Sequence, residues 1–295
     1  MYTEIEIRAS DGNMLKADYY PPVRNNGRVV ILASGAGTSK EFYREFAFFL
    51  TQKGYPVFTF DYRGTGVATN KEIRKCKASM HQWAVQDMDA VILYANTKFP
   101  KQEIIFIGHC IGGEMAGLAR ASQYISKIIL VSSALSCKKL WPVKDRIRIF
   151  FLKKAILFLN KVYGFFPGKK IGFLGNLPKG VIKEWTDWCD KPNGLFDYFP
   201  DNNYRKLRIP LLAFSFSDDW HCPPKAVQEL LNRFLDAEIT WQHLKPADIG
   251  VKRIGHNGFF KKELKETLWS YMAHWINKEE ITIKRKSRSW VVGFY

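Results

Sequence analysis

The sequence predicts an α/β fold: a mostly parallel sheet of eight strands, helices on both faces, and a helical segment inserted over the sheet's C-terminal edge. Three observations predict it. Short apolar runs alternate with helical periodicity along most of the 295 residues. One strand runs through a glycine-rich turn into a small-residue segment, IIFIGHCIGGEMAGL at 104–118. The alternation stops between about residues 138 and 205, then resumes.

EIEIRA and MLKADYY read as an antiparallel hairpin turning at Asp11-Gly12-Asn13. RVVILASG is a short apolar run ending in glycine, as a buried parallel strand should. EFYREFAFFLTQKG is helical with Gly54 as its stop, and YPVFTFDYRG is the next strand. A helix near MHQWAVQDMDAVILYANTKF precedes the strand at 103–107 and a helix from Ile111; KIILVSSA is a further buried strand. After the break come the strand IPLLAFSFSDDW, the helix PKAVQELLNRFL, the strand ITWQHL and the last helix KKELKETLWSYMAHWI. The expected organisation is a catalytic α/β domain of residues 1–137 and 206–277, an inserted helical lid at 138–205 and a basic C-terminal tail at 278–295. The lid falls over the sheet edge where such folds bind ligands.

Composition narrows the function classes. No apolar run reaches transmembrane length, and the acidic, alternating start MYTEIEIRAS reads as a first strand and not a signal peptide. Cysteines 76, 110, 137, 189 and 222 are scattered without metal-ligand spacing, which predicts reduced thiols in a cytosol and neither a disulfide framework nor a zinc site; the chemistry expected below implies no metal or organic cofactor. The net charge of +17 is concentrated: from Lys138 to Lys183 there are twelve Lys or Arg against one acid, Asp145. That patch favours anionic partners, either an acidic membrane surface or a CoA-like ligand; no nucleic-acid motif accompanies it. Within it, Ile149, Leu152, Ile156, Leu159 and Tyr163 recur at helical spacing, with Lys154 and Lys161 on another side. This describes either a helix packed on the main domain or an amphipathic surface touching a membrane.

The chemistry-bearing stretch is Gly108-His109-Cys110-Ile111-Gly112-Gly113. It fits G-x-nucleophile-x-G between a strand and a helix, a turn that lifts one side chain clear of the sheet. The glycines prevent collision, and the helix start behind the sulfur offers free N–H groups and positive potential to an anion. An acid and then a histidine should follow. Asp219 closes the strand LLAFSF with proline four residues on, and Asp218 is the second-choice acid. His256 lies in the glycine-flanked loop RIGHNGFF before the last helix. Cys110, Asp219 and His256 thus stand in the order a nucleophile–acid–base triad requires. ASGAGTSKEFY follows the third strand, where a backbone N–H can meet a developing oxyanion; Ala36 and Ile111 are the candidate donors. Phe42, Tyr43, Trp141, Trp185 and Trp188 are candidates to line an apolar pocket, or else are core.

With these motifs in place, the chain resembles the α/β-hydrolase superfamily. It is most similar to a bacterial group of predicted hydrolases related to serine aminopeptidase and lysophospholipase-like proteins. EFYREFA, FDYRGTG, LWPVKDRIRI, YGFFPGKK, LPKGV, EWTDWC, LLAFSFSDDW and RIGHNGFF carry the resemblance, to about residue 277. It implies a hydrolase fold with a lid. The departure is Cys110, where serine is usual.

Three readings of that cysteine stay open. The first is a thiolate hydrolase of esterase or thioesterase type, acting on a small acyl substrate through an acyl-enzyme; dienelactone hydrolases are similar in placing cysteine on this elbow. The second is a CoA-dependent acyltransferase, because GHCIGG resembles the G-x-C-x-G-G box of polyhydroxyalkanoate synthases. The third is a decayed hydrolase scaffold with a binding role.

Overall fold

The structure, a computed structural model, describes residues 1–66, 68, 70–172 and 175–277. The expected basic tail at 278–295 lies outside the described residues. Strand β1 (Thr3–Arg8) turns into β2 (Met14–Tyr20), which leads to β3 (Arg28–Ala33). Helix α1 (Arg44–Gln52) connects to β4 (Val57–Phe60), with Gly54 at φ 91° in the turn between them. Helices α2 (Asn70–Lys75), α3 (Met80–Gln82) and α4 (Asp89–Lys98) precede β5 (Glu103–His109), and the one-turn α5 (Ile111–Glu114) precedes β6 (Ile125–Val131).

The insertion then contributes α6 (Val143–Tyr163), a small ladder of β7 (Phe165–Phe166) with β8 (Leu177–Pro178), and α7 (Lys179–Asp190). The main sheet resumes with β9 (Pro210–Phe216), α8 (Pro224–Leu231), β10 (Glu238–Leu244) and α9 (Ser270–Ile276).

The eight-stranded sheet has the order β1-β2-β4-β3-β5-β6-β9-β10. Only β1 with β2 and β2 with β4 pair antiparallel; the other neighbours are parallel. Period-two alternation along the central strands divides the core into two layers. Val29, Ile31, Ile104, Phe106, Ile128 and Leu130 face a layer closed by α4 and α8. Val30, Leu32, Ile105, Ile107, Ile129 and Val131 face the other, closed by α1 and α9. Parallel strands buried on both faces read as continuous apolar runs, which is how they announced themselves in the sequence.

Three expected helices are built differently. The one at 80–99 contains a wide π-type turn over 83–88, which buries both Trp83 and Asp87. There Trp83 stacks on Tyr62 at 4.5 Å, while Asp87 accepts the Arg63 Nε–H at 2.7 Å. The last helix also opens with a π-type turn, over 265–269, which places the consecutive Leu268 and Trp269 in the core together. The helix after the elbow stops after one turn because its carbonyls are claimed from outside: the Tyr204 hydroxyl donates to Glu114 O and the Asn203 N–H to Gly117 O. No helix among the described residues is long and apolar enough to cross a membrane.

Candidate active site

Cys110 caps the start of α5 with φ 54° and ψ −121°. A non-glycine residue there costs on the order of 1–3 kcal/mol, a strain that persists only where the surroundings impose it. Here they do. A Cβ on Gly112 would meet Ala33 O at 2.5 Å, and one on Gly108 would meet Gly113 Cα at 2.4 Å. The elbow is thus pressed against the end of β3, and the bend is fixed from both sides. The Cys110 N–H donates to Val131 O at 3.0 Å, completing the exit from the sheet.

The loops after β9 and β10 bring the other two candidates to this point. His256 Nδ1 lies 2.9 Å from Asp219 Oδ2, and Cys110 is close enough for its charge to act on the ring. Nδ1 facing the carboxylate leaves Nε2 to serve the sulfur. The Asp219 carboxylate is buried and also accepts the His221 N–H on Oδ1 at 3.0 Å. Burial alone would push its pKa up, but hydrogen bonds from His221 and His256 and their charges hold it well below the usual carboxylate range. Burial likewise opposes charge on His256. The Cys110 charge, with hydrogen bonds to Asp219 and Cys222, outweighs it and raises the imidazole well above its ordinary value.

Asp218, the second-choice acid, does not meet the imidazole. Its Oδ2 accepts the N–H groups of Ile254 at 2.9 Å and Gly255 at 3.0 Å, so it braces the loop that presents His256. Ala36 sits beside the elbow: a Cβ on its neighbour Gly35 would touch the Cys110 Cβ at 3.3 Å. The insertion reaches the same loop, since a Cβ on Gly175 would meet Gly37 O at 2.4 Å.

The aromatic candidates divide. Tyr43 is fully buried and Trp188 is core. Trp141 donates its indole N–H to Trp220 O at 3.1 Å, and Trp185 donates to Ser136 Oγ at 3.1 Å; they tie the insertion to the loops after β9 and β6. Phe42 is partly buried, edge-on to Tyr43 at 5.0 Å. A cleft of about 560 Å³ opens elsewhere, between the β1–β2 hairpin and the loop after β4, with Met14, Lys16, Asp61, Arg63 and Cys76 on its walls. None of the expected pocket aromatics lines it.

His109, which no sequence motif singled out, and Tyr43, expected at a pocket wall, complete the geometry. His109 is buried, and burial together with the nearby His256 charge pushes its pKa down to about 3, so the ring is neutral. Its Nε2 lies 3.1 Å from His256 O, an atom that only accepts; Nε2 therefore carries the proton and Nδ1 is bare. Tyr43 Oη donates to that Nδ1 at 2.8 Å and accepts the Gly35 N–H at 3.0 Å. One continuous chain thus joins the loop of Ala36, a candidate oxyanion donor, to the loop of the candidate base. Its only sequence signal was a tyrosine ten residues past β3 and a histidine just before the nucleophile.

Asp219, His221 and His256 also bring three donor atoms within 4.8 Å of one another, a set able to hold a metal ion. Two of those groups are already joined by the hydrogen bond that orients the imidazole.

A cysteine on a strained strand-to-helix turn, backed by a histidine and a carboxylate in that chain order on this sheet, defines an α/β-hydrolase. The sheet order is that of the α/β-hydrolase fold, and a family model described as serine aminopeptidase, S33, matches residues 24–170, which carry β3, the Gly35–Gly37 loop, the elbow and α6. Solved structures agree in fold. DcsB, solved with a substrate analogue, is 15% identical with a TM-score of 0.66, over 95% of this chain and 100% of that one. An esterase from Pyrococcus furiosus is 17% identical at 0.61, over 95% and 91%. An esterase from Exiguobacterium antarcticum is 16% identical at 0.60, over 93% and 100%. No curated protein matches the chain.

Proposed function

We propose that the protein is a cysteine-dependent hydrolase of carboxylic esters or thioesters, working through an acyl-enzyme. The observation that carries this reading is the contact of His256 Nδ1 with Asp219 at 2.9 Å, at the elbow where Cys110 is held at φ 54°. The esterase names of two structural neighbours agree with the ester class.

The Cys110 thiolate attacks the carbonyl carbon, forming the C–S bond as the C=O pair moves onto oxygen. The Ala36 and Ile111 N–H groups hold that oxyanion. Collapse breaks the bond to the alcohol or thiol, which leaves with the proton carried by His256. Water then enters, His256 takes its proton, and hydroxide attack on the thioester releases the acid and restores the Cys110 thiolate. Asp219 keeps the imidazole oriented throughout. The backbone strain at Cys110 supports chemistry over a decayed scaffold, since a binding role has no use for it.

Turnover of short p-nitrophenyl esters and of acyl-CoA thioesters tests the reading. Cys110→Ala should abolish both, and product analysis should show free acid and not a transferred acyl group. An unchanged rate in Cys110→Ala would overturn the assignment. Iodoacetamide should alkylate Cys110 faster than the other cysteines, and more slowly in His256→Ala.

A further inference from the structure

The inner face of α6 seats Ile156 and Asn160 in the protein, as the helical spacing of Ile149, Ile156 and Tyr163 anticipated. The outer face is the anomaly. Val143, Ile147, Phe150, Phe151, Phe158 and Val162 are 70%, 61%, 53%, 66%, 65% and 61% exposed. At 3.6 residues per turn these six fall within an arc of about 120°, a continuous stripe along the whole helix. Helices apolar on both sides are normally buried on both, and a soluble monomer seldom leaves such a stripe uncovered.

The charges around the stripe select its cover. Lys154 and Lys161 emerge within the arc, and Lys144 flanks it, all exposed. Asp145, the one acid of the 138–183 segment, lies on the inward side, and Asp190 is engaged by Lys138 and Lys153. Large apolar groups interleaved with lysines whose stems can reach outward suit an interface that is oily beneath and negative above. A protein groove would have to supply both an apolar trough and an acidic rim; an anionic bilayer supplies both along its entire surface.

We propose that the outward face of α6 docks in the headgroup–acyl boundary of an anionic lipid bilayer. The docked helix is tied to the catalytic loop, because the Arg148 guanidinium stacks on Trp220 at 4.2 Å and Trp220 follows Asp219 directly. Bilayer contact therefore brings the triad to the membrane surface, where amphiphilic acyl substrates are concentrated. The docking itself does not rest on the hydrolase reading.

The test is co-sedimentation of the full chain with large vesicles of phosphatidylcholine, alone or with half phosphatidylglycerol. Wild type should sediment with the anionic vesicles at low salt and remain in solution with phosphatidylcholine alone or in 0.5 M salt, where the Debye length falls to roughly 4–5 Å. Phe151→Ser/Phe158→Ser should weaken partitioning at least about tenfold. Lys144→Glu/Lys154→Glu/Lys161→Glu should weaken it on the order of a hundredfold or more. Unchanged circular dichroism and melting would show both variants folded; hydrolysis of a soluble ester is read separately, so loss of activity and loss of docking stay distinguishable. No sedimentation with anionic vesicles overturns the proposal, as does binding that neither variant weakens. A dimer in light scattering that the phenylalanine variant converts to monomer, without vesicle binding, also overturns it and assigns the face to a second copy of the chain.

Discussion

His109 donates from Nε2 to the backbone carbonyl of His256 at 3.1 Å, so the residue before Cys110 holds the loop that carries the candidate base. Nothing in that bond touches substrate; it acts through position. His109→Ala should lower kcat about 10–100-fold with little change in KM, because a loop displaced by about an ångström misaligns proton transfer. His109→Gln, whose amide can donate to the same carbonyl, should recover part of the loss. Steady-state kinetics on a soluble ester with the three proteins checks this, and equal kcat in all three would dismiss the tie.

Adjacent acids carry different duties. Asp219 touches the imidazole, whereas Asp218 binds two backbone N–H groups. Asp219→Asn should reduce kcat by about 10²–10⁴-fold through loss of the correct tautomer. Asp218→Asn keeps an acceptor oxygen and should stay within about threefold of wild type in kcat. Asp218→Ala should instead lose about 1–3 kcal/mol of stability, read by urea unfolding, because two inward N–H groups lose their partner.

Glu114 predicts a pH dependence of stability. Its buried carboxyl is pushed up from 4.5 to about 7 by burial, which outweighs the hydrogen bonds it accepts from Ser136. Between those values the native state binds more protons than the unfolded chain, so unfolding free energy falls as pH rises from 4.5 to about 7. Glu114→Gln has no charge to bury. Its stability relative to wild type should increase by on the order of 3 kcal/mol across that window, measured by urea unfolding at pH 4.5 and pH 8.

Lys40 and Asp18 form an ion pair of 2.7 Å with side chains only 5% and 0% exposed. Lys40→Met leaves a buried carboxylate without its partner and should cost about 3–5 kcal/mol. Adding Asp18→Asn should return much of that loss. Denaturant midpoints of the single and double variants decide it; additive losses would mean the pair is not coupled.

The strands, and the elements that carry Cys110, Asp219 and His256, were legible in the sequence because each rests on local signals. RVVILA, EIIFIGH and LLAFSF are apolar on both faces, and Cys110, Asp219 and His256 each follow a strand or precede a helix with glycine or proline beside them. What escaped depends on contacts across the fold. Asp18 and Lys40 are 22 residues apart, Tyr43 and His109 are 66 apart, and no periodicity records such pairings. Tyr43 was expected at a pocket wall because a lone aromatic looks the same whether its hydroxyl is used or not. The wide turns at 83–88 and 265–269 were hidden for a related reason: neighbouring apolar residues such as Leu268 and Trp269 fit a helical pattern and disclose nothing of the looser winding that buries both.

The positive φ of 54° at Cys110 has a consequence for how this protein can be improved. Glycine relaxes in that conformation, and every L-residue with a side chain resists it. A sequence selected for thermal endurance alone would drift to glycine at 110 and gain robustness by discarding its sulfur. The elbow is a wound spring held shut by its neighbours, and durability and reactivity compete for the same backbone torsion.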